Sequence, residues 1–216
     1  MISKQEILNS IKSNEWNFGN KILYDMCKKN SSHTSSDVIM AKTIIIGRTY
    51  AAAIERRKNK TKKEINDNFY LNVVAPAFRK SKLDDLLEQL NKHKTINTKN
   101  VFEILQVHSY LTDILSSITG QNKRSFSSKY LHFHKPELFF IYDSRVLFSL
   151  RNFIKKAPKE FSSIVNSKRI DKEYANFVCK SLQVKEQFEI IAKKKITLRQ
   201  YDNILIKIAN KRNSVK

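Results

Sequence analysis

Glycine, proline and cysteine are scarce in this sequence. Its 216 residues include three glycines, three prolines and two cysteines. Tight β-hairpin turns depend on glycine and proline, so long β-hairpin arrays are disfavoured and an all-α fold is predicted. Two cysteines are too few for a disulfide framework or a cysteine-ligated cluster. Cys27 and Cys179 each lie in an amphipathic segment, and we expect both in the core.

Long apolar runs are also missing. The first residues, MISKQEILNS, lack the apolar region of a signal peptide. The most apolar stretch, VIMAKTIIIG (38–47), is too short to cross a bilayer and contains Lys42. We therefore expect a cytoplasmic protein with no membrane partner.

Acidic residues are half as numerous as basic ones. The chain has 20 Asp and Glu against 41 Lys and Arg, a formal net charge of +21. An AT-rich genome would explain abundant lysine, asparagine and isoleucine, but the same bias also encodes Asp and Glu. The excess therefore indicates an anionic partner, with nucleic acid the first expectation.

Helix-start signals are frequent. SKQE at Ser3, TKKE at Thr61, SKLD at Ser81 and TLRQ at Thr197 each pair a capping hydroxyl with an acid or amide three residues later. Apolar spacing after each is helical. The predicted helices lie near 3–13, 17–29, 36–57, 62–78, 82–92, 98–118, 123–134, 143–156, 158–166, 171–182, 185–194 and 197–211.

The stretch ITGQNKRSFSSKYLHFHKPELFFIYDSRV (118–146) contains a predicted turn between two helices. Gly120 adopts positive φ without steric cost, and Asn122 is the next most tolerant residue type. The second helix would present free N–H groups beside Lys123 and Arg124, which together form a phosphate site. The residues expected to contact a DNA backbone are Gly120, Gln121, Asn122, Lys123, Arg124, Ser127 and Lys129.

This turn and the segment FFIYDSRV (139–146) resemble the helix-hairpin-helix and following acid of the HhH-GPD DNA glycosylase superfamily, which includes the endonuclease III and adenine glycosylase types. The family pattern is a hydrophobic-Pro-Gly-x-Gly hairpin. Here Thr119 replaces the proline and Asn122 the second glycine. The resemblance implies two helical lobes with the hairpin at the cleft, and it places Asp143 at the catalytic acid.

The resemblance also bears on the nucleophilic lysine of bifunctional members. Counting forward from the hairpin puts Arg124 at that place, and counting back from Asp143 puts Ser125 there. Arginine is a poor nucleophile, while serine resembles the monofunctional adenine-glycosylase type. Lys123 and Lys129 flank the position. The four C-terminal cysteines of the iron–sulfur members are absent, so we expect no cluster and no other cofactor.

Asp143 has two readings. A carboxylate beside the sugar would stabilise the oxocarbenium-like state of N-glycosidic hydrolysis, acting on a base extruded from the duplex. The plainer reading is a helix N-cap, and both can hold. Ser125 is the second catalytic candidate. Arg48 and Tyr142 are weaker candidates for a base pocket.

Three other features receive structural readings. His132 and His134 form an H-x-H pair without a third ligand, so we predict no metal site. Gly47, inside a helical run, would permit close packing, and Arg48 would pair with Glu55. Trp16 is expected in the core.

The predicted protein is one helical domain over 1–216, with possible lobes of 30–140 and of 1–29 plus 141–216. We expect a double-stranded DNA partner, a nucleoid association and a monofunctional DNA glycosylase activity on a damaged or modified base. The alternatives are a non-catalytic helix-hairpin-helix DNA-binding protein, regulatory or defensive, and a basic helical domain that binds RNA or protein. Oligomeric state is left open.

Overall fold

The computed structural model describes residues 2–12, 16–56 and 66–213, and all regular secondary structure in these ranges is helical. The all-α prediction is therefore confirmed. The α-helices are α1 Lys4–Ser10, α2 Asn17–Lys29, α3 Ser36–Thr49, α4 Asn66–Phe69, α5 Ala75–Arg79, α6 Leu83–Gln89, α7 Val101–Thr119, α8 Arg124–His134, α9 Ser144–Leu150, α10 Ser162–Val165, α11 Lys172–Ala192 and α12 Leu198–Asn213. A π-helical stretch at Tyr70–Val74 joins α4 to α5, and 3-10 turns occupy Leu90–Lys92 and Lys159–Phe161.

Two of the predicted capping boxes form. At α1, Ser3 caps the backbone of Glu6 and the carboxylate of Glu6 returns to the Ser3 N–H. At α12, the N–H of Thr197 donates to Gln200 Oε1 at 3.0 Å, and the N–H of Gln200 donates to Thr197 Oγ1 at 3.2 Å. The motif at Ser81 does not form, because Lys82 occupies the N-cap of α6. The motif at Thr61, with most of the basic segment 55–63, lies outside the described residues.

The predicted helix 36–57 is wrong at its C-terminal end. Helix α3 ends at Thr49, and Ala51 takes a left-handed φ of 51° that no α-helix accommodates. The chain then folds back on Gly47, where an added Cβ would lie 3.1 Å from Ala53 Cα and 3.4 Å from the Phe126 ring. Gly47 therefore permits the close packing that was predicted.

Two further boundaries differ from the prediction. The segments 171–182 and 185–194 form the single helix α11, whose middle is held in the core by the buried Val184. The helix predicted over 143–156 ends at Leu150.

The buried apolar residues form one cluster that draws on both halves of the chain. Helix α9 packs on α12, and α1 packs on α11 and α12, whereas α8 packs on α2, α3 and α7. Cys27 and Cys179 are buried, as predicted. Trp16 was placed wrongly by the sequence, since 61% of its surface is exposed. The two-lobed division stays a prediction.

Among the described residues, none of the helices combines the length and the apolar character needed to cross a bilayer.

Lys193, which caps α11, offers a test of backbone strain. Its φ of 54° lies in the left-handed region. Lys193→Gly removes that strain but adds freedom to the unfolded chain, so we expect the free energy of unfolding to rise by about 0.5–1 kcal/mol. Urea denaturation measures the change. Lys194→Gly, at a neighbouring residue with ordinary φ, is the control and should lower stability; a gain in both variants would contradict the strain argument.

Candidate active site around Asp143

The turn between α7 and α8 is closed by Gly120, which has a φ of 67° and whose N–H donates to Ser116 O at 2.8 Å. The positive φ predicted for Gly120 is confirmed. Asn122 does not take positive φ. Its side chain instead accepts from the Arg124 N–H at 3.0 Å and donates to Asp171 at 3.2 Å. Asn122 thus ties the turn to the start of α11.

The cations of this turn are engaged within the protein. Arg124 Nε donates to Asp171 Oδ1 at 2.7 Å, and its Nη1 donates to Glu173. Lys123 Nζ donates to the carbonyl of Arg56. A phosphate contact by Arg124 would have to displace two carboxylates, which argues against its predicted role. Gly120, Gln121 and Asn122 remain exposed at the surface.

Asp143 is the N-cap of α9. Its Oδ1 accepts from the Arg145 N–H at 3.0 Å, and the guanidinium of Arg145 lies 3.4 Å from the same oxygen. The capping role is therefore real. It leaves Oδ2 for a second partner, so the cap fixes the direction of the carboxylate.

That partner is Lys129, one of the most deeply buried charged side chains in the described structure, with 2% of its surface exposed. Its Nζ donates to Asp143 Oδ2 at 3.2 Å, to Ser125 Oγ at 3.0 Å and to the carbonyl of Tyr50 at 3.1 Å. The predicted DNA contact of Lys129 is wrong for this arrangement, because its ammonium faces inward. Ser127 is fully buried as well, so its hydroxyl does not reach a strand on the surface.

Ser125 lies between the acid and the lysine. Its hydroxyl donates to Tyr142 O at 3.0 Å while it accepts from Lys129. The hydroxyl is thus held in place by two partners. The structure gives Ser125 a positioning geometry beside Asp143 rather than a free nucleophile.

The electrostatics keep Asp143 charged. Burial raises its pKa, but the ammonium of Lys129 and the N–H of Arg145 outweigh burial and lower it below the ordinary 3.8. Burial lowers the pKa of Lys129, and the carboxylate of Asp143 opposes that effect. A carboxylate fixed in direction and ionised at neutral pH is suited to face a developing cation.

Asp143 lines a cavity of about 550 Å³. Its walls are the start of α2, residues 49–51 after α3, the segment 141–145 and α12. The exposed ring of Trp16 and the half-buried ring of Tyr50 line it too. Lys129 lies behind Asp143 and outside the lining, so the carboxylate stands between the ammonium and the cavity.

The two predicted base-pocket residues do not line this cavity. Arg48 Nε lies 3.4 Å from Glu55 Oε1, the predicted ion pair, although the helix ends between them. Tyr142 packs edge-on against Phe177, with the guanidinium of Arg124 5.5 Å above its ring. The structure therefore corrects both assignments.

Three lining residues were missed from the sequence: Tyr50, Arg199 and Asp202. The last two lie three residues apart on α12, and Asp202 has 2% of its surface exposed. An acid and a base on the buried face of an amphipathic helix were the available signal, since such groups are rarely buried without a partner.

A second cavity, of about 720 Å³, borders Asp84 and His134. His33 is hydrogen-bonded to Asp84 and, at 2.7 Å, to Tyr130 Oη. Burial and Lys42 lower the pKa of His33 to about 4 despite Asp84, so the imidazole is neutral. His132 contacts Phe139 O and Tyr24 Oη through its two ring nitrogens. Within the described ranges, no group of three His, Cys, Asp or Glu side chains is arranged for a metal ion.

Comparison with protein-family models, with curated proteins and with solved structures finds no match to this chain.

Proposed function

We propose that the protein is a monofunctional DNA glycosylase-like enzyme that hydrolyses an N-glycosidic bond, with Asp143 as its catalytic carboxylate. The observation that carries this proposal is the ionised, doubly held Asp143 at the wall of a 550 Å³ cavity. That volume lies within the range of about 300–1,000 Å³ typical of small-molecule sites. An extruded nucleotide would bring its sugar to Asp143 and its base into the cavity.

The position of Lys129 favours hydrolysis over a covalent mechanism. A Schiff base requires a neutral amine that faces the sugar. Lys129 donates three hydrogen bonds and is screened from the cavity by Asp143. Its role in this proposal is to hold the carboxylate, while a water molecule on the open face attacks the sugar.

DNA binding in this proposal rests on the excess of positive charge and on the exposed turn at Gly120, Gln121 and Asn122. We expect the affinity for duplex DNA to fall steeply as salt increases, because bound cations on the DNA are released with each phosphate contact. Fluorescence anisotropy from 50 to 300 mM salt measures the slope. An affinity independent of salt, or no binding at low salt, would remove DNA as the partner and leave the RNA or protein alternatives.

The activity is tested by a base-release screen. Duplexes that carry normal, oxidised, alkylated and hypermodified bases are incubated with the protein, and released bases are identified by mass spectrometry. We expect one class of base to be released and an abasic site to remain uncleaved. Salt-dependent DNA binding without release from any duplex would instead favour the non-catalytic DNA-binding function.

A further inference from the structure

Two polar atoms in the cavity of Asp143 have no partner within the protein. Asp202 Oδ1 and Arg199 Nη2 are both inaccessible to solvent, and neither makes a hydrogen bond. An unsatisfied buried polar group is costly, and native proteins keep few of them. Both side chains line the cavity, so a molecule bound there could satisfy both atoms.

The remaining atoms of the two side chains are firmly held. Arg199 Nη1 donates to Asp202 Oδ2 at 3.2 Å, and Arg199 Nε donates to Tyr24 Oη at 3.1 Å. The guanidinium also lies 5.5 Å from the ring centres of Tyr50 and Phe133. These contacts fix the plane of the guanidinium, so the two free atoms form a rigid pair.

The free pair consists of a donor beside an acceptor. Arg199 Nη2 can only donate. Burial raises the pKa of Asp202 to about 6, although Arg199 opposes the shift. The carboxylate therefore predominates at neutral pH, and Oδ1 is an acceptor.

We propose that Arg199 and Asp202 read the edge of a nucleobase that presents a hydrogen-bond acceptor beside an N–H donor. The base acceptor would receive a hydrogen bond from Arg199 Nη2, and its amino or imino N–H would donate to Asp202 Oδ1. The rings of Trp16 and Tyr50 border the same cavity and offer flat apolar surfaces to the base. This inference rests on the proposed function for the origin of the base, an extruded nucleotide.

The arrangement makes a chemical distinction. Adenine has a ring nitrogen beside an amino group, whereas purine has the same rings without the amino group. Purine would leave Asp202 Oδ1 unsatisfied, so it should bind more weakly. A site that hydrogen-bonds a polar group rejects an analogue lacking that group, because its own buried atoms stay unpaired.

The test uses free adenine and free purine with the whole protein, so it needs neither DNA binding nor catalysis. Titrations followed by NMR should give an affinity for adenine at least about tenfold higher than for purine, the size expected from one hydrogen bond to a charged group. In Asp202→Asn this preference should disappear. Asp37→Asn makes the same chemical change at an exposed site outside the cavity and should retain it.

Equal affinities in the wild type, or a preference that survives in folded Asp202→Asn, would overturn the proposal. If Asp202→Asn does not fold, chemical-shift mapping on the wild type decides. Adenine should perturb the Arg199 Nε–H signal and the amides around 199–203, and perturbation centred on the cavity at Asp84 would overturn the proposal. A preference for adenine without base release from any duplex would refute the glycosylase activity and keep the reading pair, while release without the preference would do the reverse.

Discussion

Replacing Asp143 by asparagine is expected to slow base release by about 100- to 1,000-fold, the usual cost of removing one preorganised electrostatic contact to the transition state. Asparagine retains the shape of the side chain and is a good N-cap. It cannot balance the positive charge that develops on the sugar. Single-turnover release from the substrate found in the screen, with the enzyme in excess over DNA, measures the chemical step alone.

DNA affinity should be unchanged or higher in Asp143→Asn, because a negative charge near the phosphates has been removed. The free energy of unfolding should fall by about 1–3 kcal/mol, since Lys129 keeps a hydrogen-bond acceptor but loses its counter-charge. Asp171→Asn is the matched control for stability, because Asp171 also caps a helix and pairs with a cation, Arg124. Release at the wild-type rate by folded Asp143→Asn would end the catalytic role of Asp143.

Local signals in the sequence predicted much of the helical framework. The capping boxes at Ser3 and Thr197 and the left-handed Gly120 follow from local backbone chemistry, which a short segment carries by itself. The end of α3 could not be predicted in the same way. The residues after Thr49 favour a helix, and the chain leaves it because packing against Phe126 and Gly47 determines the path there.

The candidate site was only partly predictable. Asp143 was found because its segment carries a motif. The inward direction of Lys129, and the capture of Arg124 by Asp171 and Glu173, depend on residues distant in sequence. Composition indicates a basic protein but not which cations are neutralised by their neighbours. A long-range ion pair becomes visible only when the helices are packed.

Lys129→Met is expected to have the largest effect on stability. The variant leaves Asp143 without its cation and leaves the carbonyl of Tyr50 without this donor. Breaking a buried ion pair on one side typically costs about 3–5 kcal/mol. Denaturant unfolding measures the loss, and Lys129→Gln, which keeps a donor, should lose less.

The pH dependence separates a positioning role from a purely structural one. Asp143 has a lowered pKa in the folded state, so its contribution to stability is present above the unfolded pKa and is lost as pH falls through the folded pKa. Without the ammonium of Lys129 the folded pKa rises. The acid limb of base release should therefore shift to higher pH in whichever Lys129 variant folds, and an unshifted limb would contradict the pairing.

Borohydride trapping completes the argument about Lys129. A lysine that attacks the sugar forms an imine that reduction converts into a stable covalent link to DNA. Because Asp143 stands between Lys129 and the cavity, we expect no trapped complex with the wild type. A trapped complex that is lost in Lys129→Gln would instead show that the ammonium releases its three partners and reaches the sugar. In that case Asp143 would act on the lysine before it acts on water.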